Sequence, residues 1–316
     1  MTLVPAISVI IPVYNRARSV IAAIRSVLDQ QFRDFELIVV DDGSTDGTVD
    51  AVRACDDRRL RLLVQPRNAG GNAARNRGIE AATAPLLAFL DSDDCYLPDK
   101  LGYTVDWFER HPDIDVLLDS FIKRYRPGRI EPDLELRNPV LDSNDAIVEA
   151  LFTRRIWKAT PGISVRREAA LRAGMFDESL SRRQDFDFIL RLAKVARCAT
   201  TDEMLWIKTW SRETISGQLG GFAQSTLALL DRHPEYHSHP VYRRGLAHDL
   251  GRHFARLLRR GSVGDAMRDA RLLARRFGYV ELFGLIGEGA GHFRDRRRTI
   301  RESSSRTQTA ASGRPV

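Results

Sequence analysis

The sequence predicts an α/β sandwich around a mostly parallel central sheet, with a C-terminal helical extension. Three observations carry that prediction. Short β-branched runs such as residues 7–11 and 37–40 are continuously apolar, as in strands buried on both faces. Segments with helical spacing separate them, and alternating strands and helices build parallel sheets. After Gln218 the pattern turns wholly helical.

In chain order, the strand over 7–11 leads to Val20, Ile21, Ile24, Val27 and Leu28, which share one helical face. Residues 60–64 read as a third strand, 73–82 as an alanine-rich helix, and 86–90 as a fourth strand ending in Asp91-Ser92-Asp93-Asp94. A helix over 99–110 and an apolar run over 113–120 follow. Residues 125–144, rich in Pro, Arg and Asp, predict an irregular excursion. Then come a short helix over 146–152, a strand over 162–165 and a helix over 167–172. Residues 184–195 form an amphipathic helix with Phe188, Ile189, Leu192 and Val195 on one side, and 204–210 read as a strand. Helices over 241–260 and 263–276 close the pattern. The expected division is 1–215, a helical basic extension over 216–300, and a Ser/Thr/Gly/Ala-rich disordered tail over 301–316.

Ligands of such sheets lie beyond the carboxyl ends of the strands. Three polar groups follow strands here: Tyr14-Asn15, Asp41-Asp42-Gly43-Ser44 and Asp91-Ser92-Asp93-Asp94. Carboxylates so crowded are unfavourable without a cation, and hard oxygen ligands suit Mg²⁺ or Mn²⁺. A helix N-cap at Asp94 or Asp99 is the plainer explanation of some of this charge. Asp41-Asp42-Gly43-Ser44-Thr45-Asp46 likewise reads as a glycine turn with a capping residue, which does not by itself require two adjacent acids. An Asp there can accept from a pyrimidine N–H, and Tyr14 can stack on such a base. Arg75 offers a planar donor to phosphates or to the carboxylates.

Four segments, in order, resemble the large inverting glycosyltransferase family 2, whose members have the GT-A fold. They are Ser8-Val9-Ile10-Ile11-Pro12-Val13-Tyr14-Asn15, Val40-Asp41-Asp42-Gly43-Ser44-Thr45-Asp46, Asn68-Ala69-Gly70-Gly71-Asn72-Ala73-Ala74-Arg75-Asn76 and Phe89-Leu90-Asp91-Ser92-Asp93-Asp94. The resemblance spans about residues 6–215. It implies a nucleotide-sugar-binding half over 1–98 and an acceptor half over 99–215. Pro12, Tyr14 and Asp42 frame the nucleobase, and Arg75 and Asp91 join the donor site. Asp91 and Asp93 hold Mn²⁺ or Mg²⁺, with Asp94 as a further or substitute ligand. Gln184-Asp185 stands where the family has a Glu-Asp pair, so Asp185 takes the place of the catalytic base; Asp187 is the fallback, and a helix N-cap the competing role for Asp185. The implied activity is inverting transfer from a nucleotide-diphosphate sugar, UDP-linked by first preference, to a hydroxyl of a glycan or lipid-linked acceptor in cell-surface polysaccharide or glycoconjugate synthesis. Trp157, Trp206 and Trp210 are candidate sugar platforms, each with core packing as the stronger alternative.

The 316 residues are 43% hydrophobic and 29% charged, an ordinary globular balance. Three isolated cysteines suggest neither a disulfide framework nor a zinc site. With no secretory signal or spanning segment evident, the expectation is a cytoplasmic protein. The net charge of +7 is concentrated in arginines after Gly251. They suggest an appendage with solvated arginines or, more sharply, peripheral contact with an anionic membrane at the inner face of the cell membrane. No nucleic-acid partner is expected, because no binding motif accompanies the charge. A nucleotidyltransferase is the rival enzyme, but no Gly-rich basic loop follows the first strand. A sugar-nucleotide-binding relative without activity is the other alternative.

Overall fold

The computed structural model describes residues 4–125, 133–209 and 220–289. Trp210, residues 126–132 of the expected excursion, residues 290–300 of the extension and the tail over 301–316 lie outside them. The chain divides into two compact units, Met1–Gly217 and Gln218–Val316.

The first unit begins with β1 (Ile7–Val13), α1 (Ser19–Leu28), β2 (Phe35–Asp41), α2 (Thr48–Arg53), β3 (Leu60–Val64), α3 (Gly71–Ala81) and β4 (Leu86–Phe89). It continues through β5 (Cys95–Tyr96), α4 (Lys100–Arg110), β6 (Val116–Lys123), β7 (Leu134–Leu136) and α5 (Asn144–Phe152). The last elements are β8 (Ile163–Arg166), α6 (Arg167–Arg172), α7 (Gln184–Val195) and β9 (Cys198–Lys208). Among the described residues the strands form one sheet in the order β3-β2-β1-β4-β8-β6-β9-β5, with β7 paired to β6. The pairings run β1, β2, β3, β4, β6 and β9 in one direction and β5, β7 and β8 against them. The mostly parallel expectation therefore holds, with the reversed strands all on the far side of β4.

The alternation of β1 explains the layers. Ile7, Val9, Ile11 and Val13 pack in one core with Val20, Ile24 and Val27 of α1 and Leu101, Val105 and Phe108 of α4. On the opposite face, a Cβ at Gly78 of α3 would stand 2.4 Å from Ile10 Cγ2, so only glycine lets the helix approach β1 this closely. Phe89 of β4 meets Phe176 and Phe188 edge-on at 5.2 and 6.4 Å. Helices thus cover both faces.

Pro12 is tolerated in a central strand for a geometric reason. Leu90 N–H donates to Ile10 O, so Pro12, two residues on, turns the same way, beyond the last β1–β4 pair at Ile10 and Phe89. Beyond β4, Lys100 and Asp119 form a fully buried ion pair, and Lys100 Nζ also donates to Ser164 Oγ at 3.1 Å. Burial raises the Asp119 carboxyl to about 6, against the pull of Lys100. Strand β9 begins at Cys198, six residues before the apolar run that predicted it (204 minus 198). Polar Thr200-Thr201-Asp202-Glu203 and a register shift against β6 disguise its first half.

The second unit contains α8 (Phe222–Arg232), α9 (Glu235–Ser238), α10 (Pro240–Arg259), α11 (Val263–Phe277) and α12 (279–289). Leu229, Leu246, Leu250, Leu257, Leu273 and Leu282 are buried in it. His253 and Asp269 join α10 to α11 at 2.7 Å, and Phe222 stacks on His253 at 3.9 Å. On α10 and α11, Phe254, Leu257, Leu273 and Phe277 are buried, whereas Leu258 and Met267 are exposed. No helix among the described residues is long and apolar enough to cross a membrane.

Candidate active site at the strand ends

Parallel pairing brings the ends of β1, β2 and β4 to one rim, and Tyr14, Asp41-Asp42 and Asp91–Asp94 emerge there together. Tyr14 is 42% exposed, open to a ligand's ring. Asn15, at φ 50°, lies in the left-handed region; its N–H donates to Ser44 Oγ, and its Oδ1 accepts Thr45 N–H at 2.8 Å. The loops after β1 and β2 are thereby tied together. Asp42 is buried, and its carboxylate accepts Gln65 Nε2 (2.7 Å), Ala69 N–H and Gly70 N–H (both 2.8 Å). Those three bonds leave about one lone-pair direction for a base N–H. Gly43, at φ +72°, would drive a Cβ to 2.5 Å from Arg67 C, so the loop over 65–70 closes onto this turn. Asp41 Oδ2 accepts Ser44 N–H, and its buried Oδ1 makes no hydrogen bond among the described residues.

Arg75 stands in the carboxylate cluster: its Nη2 donates to Asp91 Oδ1 at 2.7 Å and its Nη1 to Asn72 Oδ1 at 3.2 Å. Burial, then the Asp91 charge, pushes the Asp93 carboxyl up. Asp94 has a different setting. It is 1% exposed, its Oδ1 accepts Thr209 N–H at 2.8 Å, and its Oδ2 faces Lys208 Nζ at 3.6 Å. Burial pushes its carboxyl up too, with Lys208 opposing. Lys208, at the end of β9, reaches the same rim because β9 runs with β4. Burial disfavours its ammonium, but Asp94, Asp91, Asp93 and Asp185 outweigh that and hold it charged.

Asp185 lies in the first turn of α7, after Arg183 at φ 61°. Its Oδ1 accepts Phe186 N–H at 2.8 Å, and no side-chain bond caps the helix, so the capping alternative is not what the geometry displays. Burial raises its pKa, opposed first by Lys158, whose ammonium lies 4.4 Å from the Phe186 ring centroid. Asp187 is fully buried and gripped by Arg191 at 2.8 Å, which removes it as a fallback base. Trp206 is buried and stacked on Phe121 at 4.3 Å; it belongs to the core and is corrected as a sugar platform. Trp157 remains 42% exposed.

Sequence reasoning did not anticipate the connection between the two halves. Asn72 Nδ2 donates to Asp177 O and Leu180 O, at 2.7 and 2.8 Å. Asn76 Nδ2 donates to Phe176 O and Glu178 Oε1, while its Oδ1 accepts Phe176 N–H. Nor did it anticipate Gln65, Lys158 or Lys208. Only Lys208 had a legible signal, as a charged residue in an apolar strand directed at the rim.

No group of three or more His, Cys, Asp or Glu among the described residues is arranged to hold a metal. Two carboxylates would suit a smaller role: Asp91 and Asp93 stand two residues apart at the end of β4, both partly exposed, with Asp91 also bonded to Arg75. Mg²⁺-type sites are commonly built from one or two carboxylates plus phosphate oxygens.

Known proteins give this rim a context. The Erwinia amylovora amylovoran biosynthesis glycosyltransferase AmsB is 32% identical over 195 residues, 60% of this chain and 64% of that protein. The Rhizobium meliloti succinoglycan biosynthesis protein ExoO is 44% identical over 103 residues, 33% of this chain and 30% of that one. An uncharacterized glycosyltransferase of Rickettsia felis is 44% identical over 106 residues, 33% of this chain but only 17% of its own length. The chain therefore spans less than two thirds of these relatives. Among solved structures, S. aureus TarS 1-349 in complex with UDP-GlcNAc aligns with TM-score 0.59 at 20% identity, over 94% of this chain and 92% of that one. A Pyrobaculum calidifontis mannosyltransferase in complex with GDP-Man and Mn²⁺ aligns with TM-score 0.53 at 20% identity, over 99% of this chain and 77% of that one. These likenesses establish the GT-A fold. The profile of Glycosyl transferase family 2 matches residues 8–174, more than half of the sequence, and the chain belongs to that family.

Proposed function

We propose that the protein transfers a sugar from a nucleotide-diphosphate donor, UDP-linked, to a hydroxyl of a glycan or lipid-linked acceptor, with inversion at the anomeric carbon. The observation that carries this reading is the placement of Asp185: a partly exposed carboxylate in the first turn of α7, in the electrostatic reach of Asp91 and Lys208. Tyr14 and Asp42 hold the base, and Asp91 and Asp93 hold Mn²⁺ or Mg²⁺ against the diphosphate. When bound, that ion neutralises charge developing on the leaving group. Asp185 takes the acceptor hydroxyl proton as the new C–O bond forms and the bond to the diphosphate oxygen breaks from the opposite face. An α-linked donor then gives a β-linked product. The UDP assignment is supported by the TarS complex, and a role in cell-surface polysaccharide or glycoconjugate synthesis by the names of the Erwinia and Rhizobium relatives.

The test is binding and turnover of UDP-, GDP- and TDP-sugars with Mn²⁺, Mg²⁺ or EDTA. UDP-sugar turnover that vanishes in EDTA and returns with metal is expected. Full activity in EDTA removes the metal, and sugar-nucleotide binding without transfer to any acceptor extract favours a binding protein over an enzyme.

The helical unit completes the proposal as a reversible contact with an anionic, cytoplasm-facing membrane surface. Along α11, Met267, Arg268, Arg271, Leu272 and Arg275 form an open surface of mixed basic and apolar character, and Met267 is 53% exposed. Each basic residue near such a surface is worth about 1 kcal/mol. Co-sedimentation at low salt with anionic but not neutral vesicles is expected; equal recovery in both supernatants removes this contact.

A further inference from the structure

The rim carries cations that the proposed chemistry does not yet use, and Lys208 is the one set directly against Asp94. Lys208 Nζ stands 3.6 Å from Asp94 Oδ2, and the charges of Asp91, Asp93 and Asp185 also reach it. Two other cations nearby have narrower settings: Arg75 is committed to Asp91 by a 2.7 Å bond, and Lys158 lies against the Phe186 ring. Asp94 is turned inward, with Thr209 N–H on one oxygen and Lys208 before the other. That second oxygen is buried and makes no hydrogen bond among the described residues, so its compensation is the lysine's charge. The β-ladder fixes both partners: Cys95, which follows Asp94, pairs with Ile207, which precedes Lys208.

We infer that Lys208 is a positioning residue for the metal and the leaving diphosphate: it keeps Asp94 as its own counter-ion, off the metal, and opposes a divalent cation until the diphosphate arrives. The inference rests on the metal-assisted reading above. The physical argument is competition. An ammonium and a divalent ion share the field of the same carboxylates and repel each other, so the lysine weakens metal binding to the donor-free protein. Diphosphate adds negative charge that both cations need, and the repulsion becomes joint attraction. Metal and nucleotide binding are then positively coupled, and by linkage the coupling is equal in both directions.

The test measures Mn²⁺ binding to the full chain by the electron paramagnetic resonance of the free ion, with and without UDP. The wild type should bind Mn²⁺ weakly alone and more tightly with UDP. Lys208→Met should bind Mn²⁺ alone about tenfold more tightly or better, bind UDP more weakly, and lose most of the coupling. Lys208→Arg should restore both behaviours, which a merely structural role does not require. Because a lone Asp94 would be left buried and unpaired, the double variant Asp94→Asn/Lys208→Met keeps the question open to a folded protein. It should retain Mn²⁺ binding through Asp91 and Asp93. Loss of Mn²⁺ in the double variant makes Asp94 a ligand and overturns the inference, as does an unchanged Mn²⁺ affinity in Lys208→Met. A wild type that binds no Mn²⁺ with or without UDP overturns the metal reading first, and this one with it.

Discussion

The two halves of the sheet solve different problems. On one side, β3, β2, β1 and β4 are parallel, and the rim groups come from the stretch between Pro12 and Asp94, already fixed by one another. Asp42 is held by three donors, Asn15 by the loop after β2, and Arg75 by Asp91 and Asn72. On the other side of β4 the sheet mixes directions, and Asp185 arrives on α7, about ninety residues after Asp91. The difference teaches that the rim carboxylates and Asp185 have separate structural origins, so, on the proposed function, single substitutions should separate donor binding from proton removal.

The largest effect expected is on turnover. Asp185→Asn should lower kcat by about 10²–10⁴-fold while UDP affinity stays within about twofold of wild type. A parallel loss of UDP affinity would merge the halves that the comparison separates. Asp187→Asn should act differently: weakening the bond that holds partly buried Arg191 should cost about 1–3 kcal/mol of stability, read as a fall in Tm.

Gly78→Ala probes the donor half. The added methyl overlaps Ile10, an overpacking cost of about 1–3 kcal/mol. Helix propensity returns about 1 kcal/mol, so the net loss should be up to about 2 kcal/mol in denaturant unfolding. In a double-mutant cycle, Gly78→Ala should cost less in an Ile10→Ala background than in wild type; an unchanged cost would mean the helix does not press on β1 at that point. Gln65→Ala removes one of Asp42's three donors and should weaken UDP binding by about 0.5–1.5 kcal/mol without changing kcat at saturation.

The smallest effect is a pH dependence. Burial works to raise the Glu36 pKa, but bonds from Thr83, Ser8 and Arg61 prevail and lower it from 4.5. A depressed folded-state pKa gives stability that is present above 4.5 and lost as pH falls through the folded value. Glu36→Gln should therefore show a shallower stability decline below pH 4.5 than wild type. An unchanged acid limb would remove Glu36 as a contributor to the donor half.

Much of this fold was legible because it rests on periodicity. Residues 60–64, 167–172 and 184–195 have the predicted bounds, since continuous apolar runs and amphipathic faces there meet clear breaks. The two-residue β5 and three-residue β7 were not legible, because strands that short depend on a partner and carry no period of their own. The candidate site divides along the same line. Asp91, Arg75 and Tyr14 could be placed at strand ends and helix starts. The buried commitments of Asp94 and Asp187 could not, because Lys208 and Arg191 decide them: one is more than a hundred residues away, and the other one helical turn on.

The asparagine clamp between α3 and residues 176–180 bears on the order in which the molecule assembles. Its bonds close chain loops of 100 to 108 residues. Loop closure costs entropy that rises with the logarithm of length, and distant pairings reward it only after both ends are formed. The parallel ladders β1–β2 and β2–β3 can form from nearby chain, whereas Asn72 and Asn76 find their partners only once β8 and α6 have docked. During refolding, therefore, nucleotide binding should return before the ability to transfer, with an interval set by chain topology.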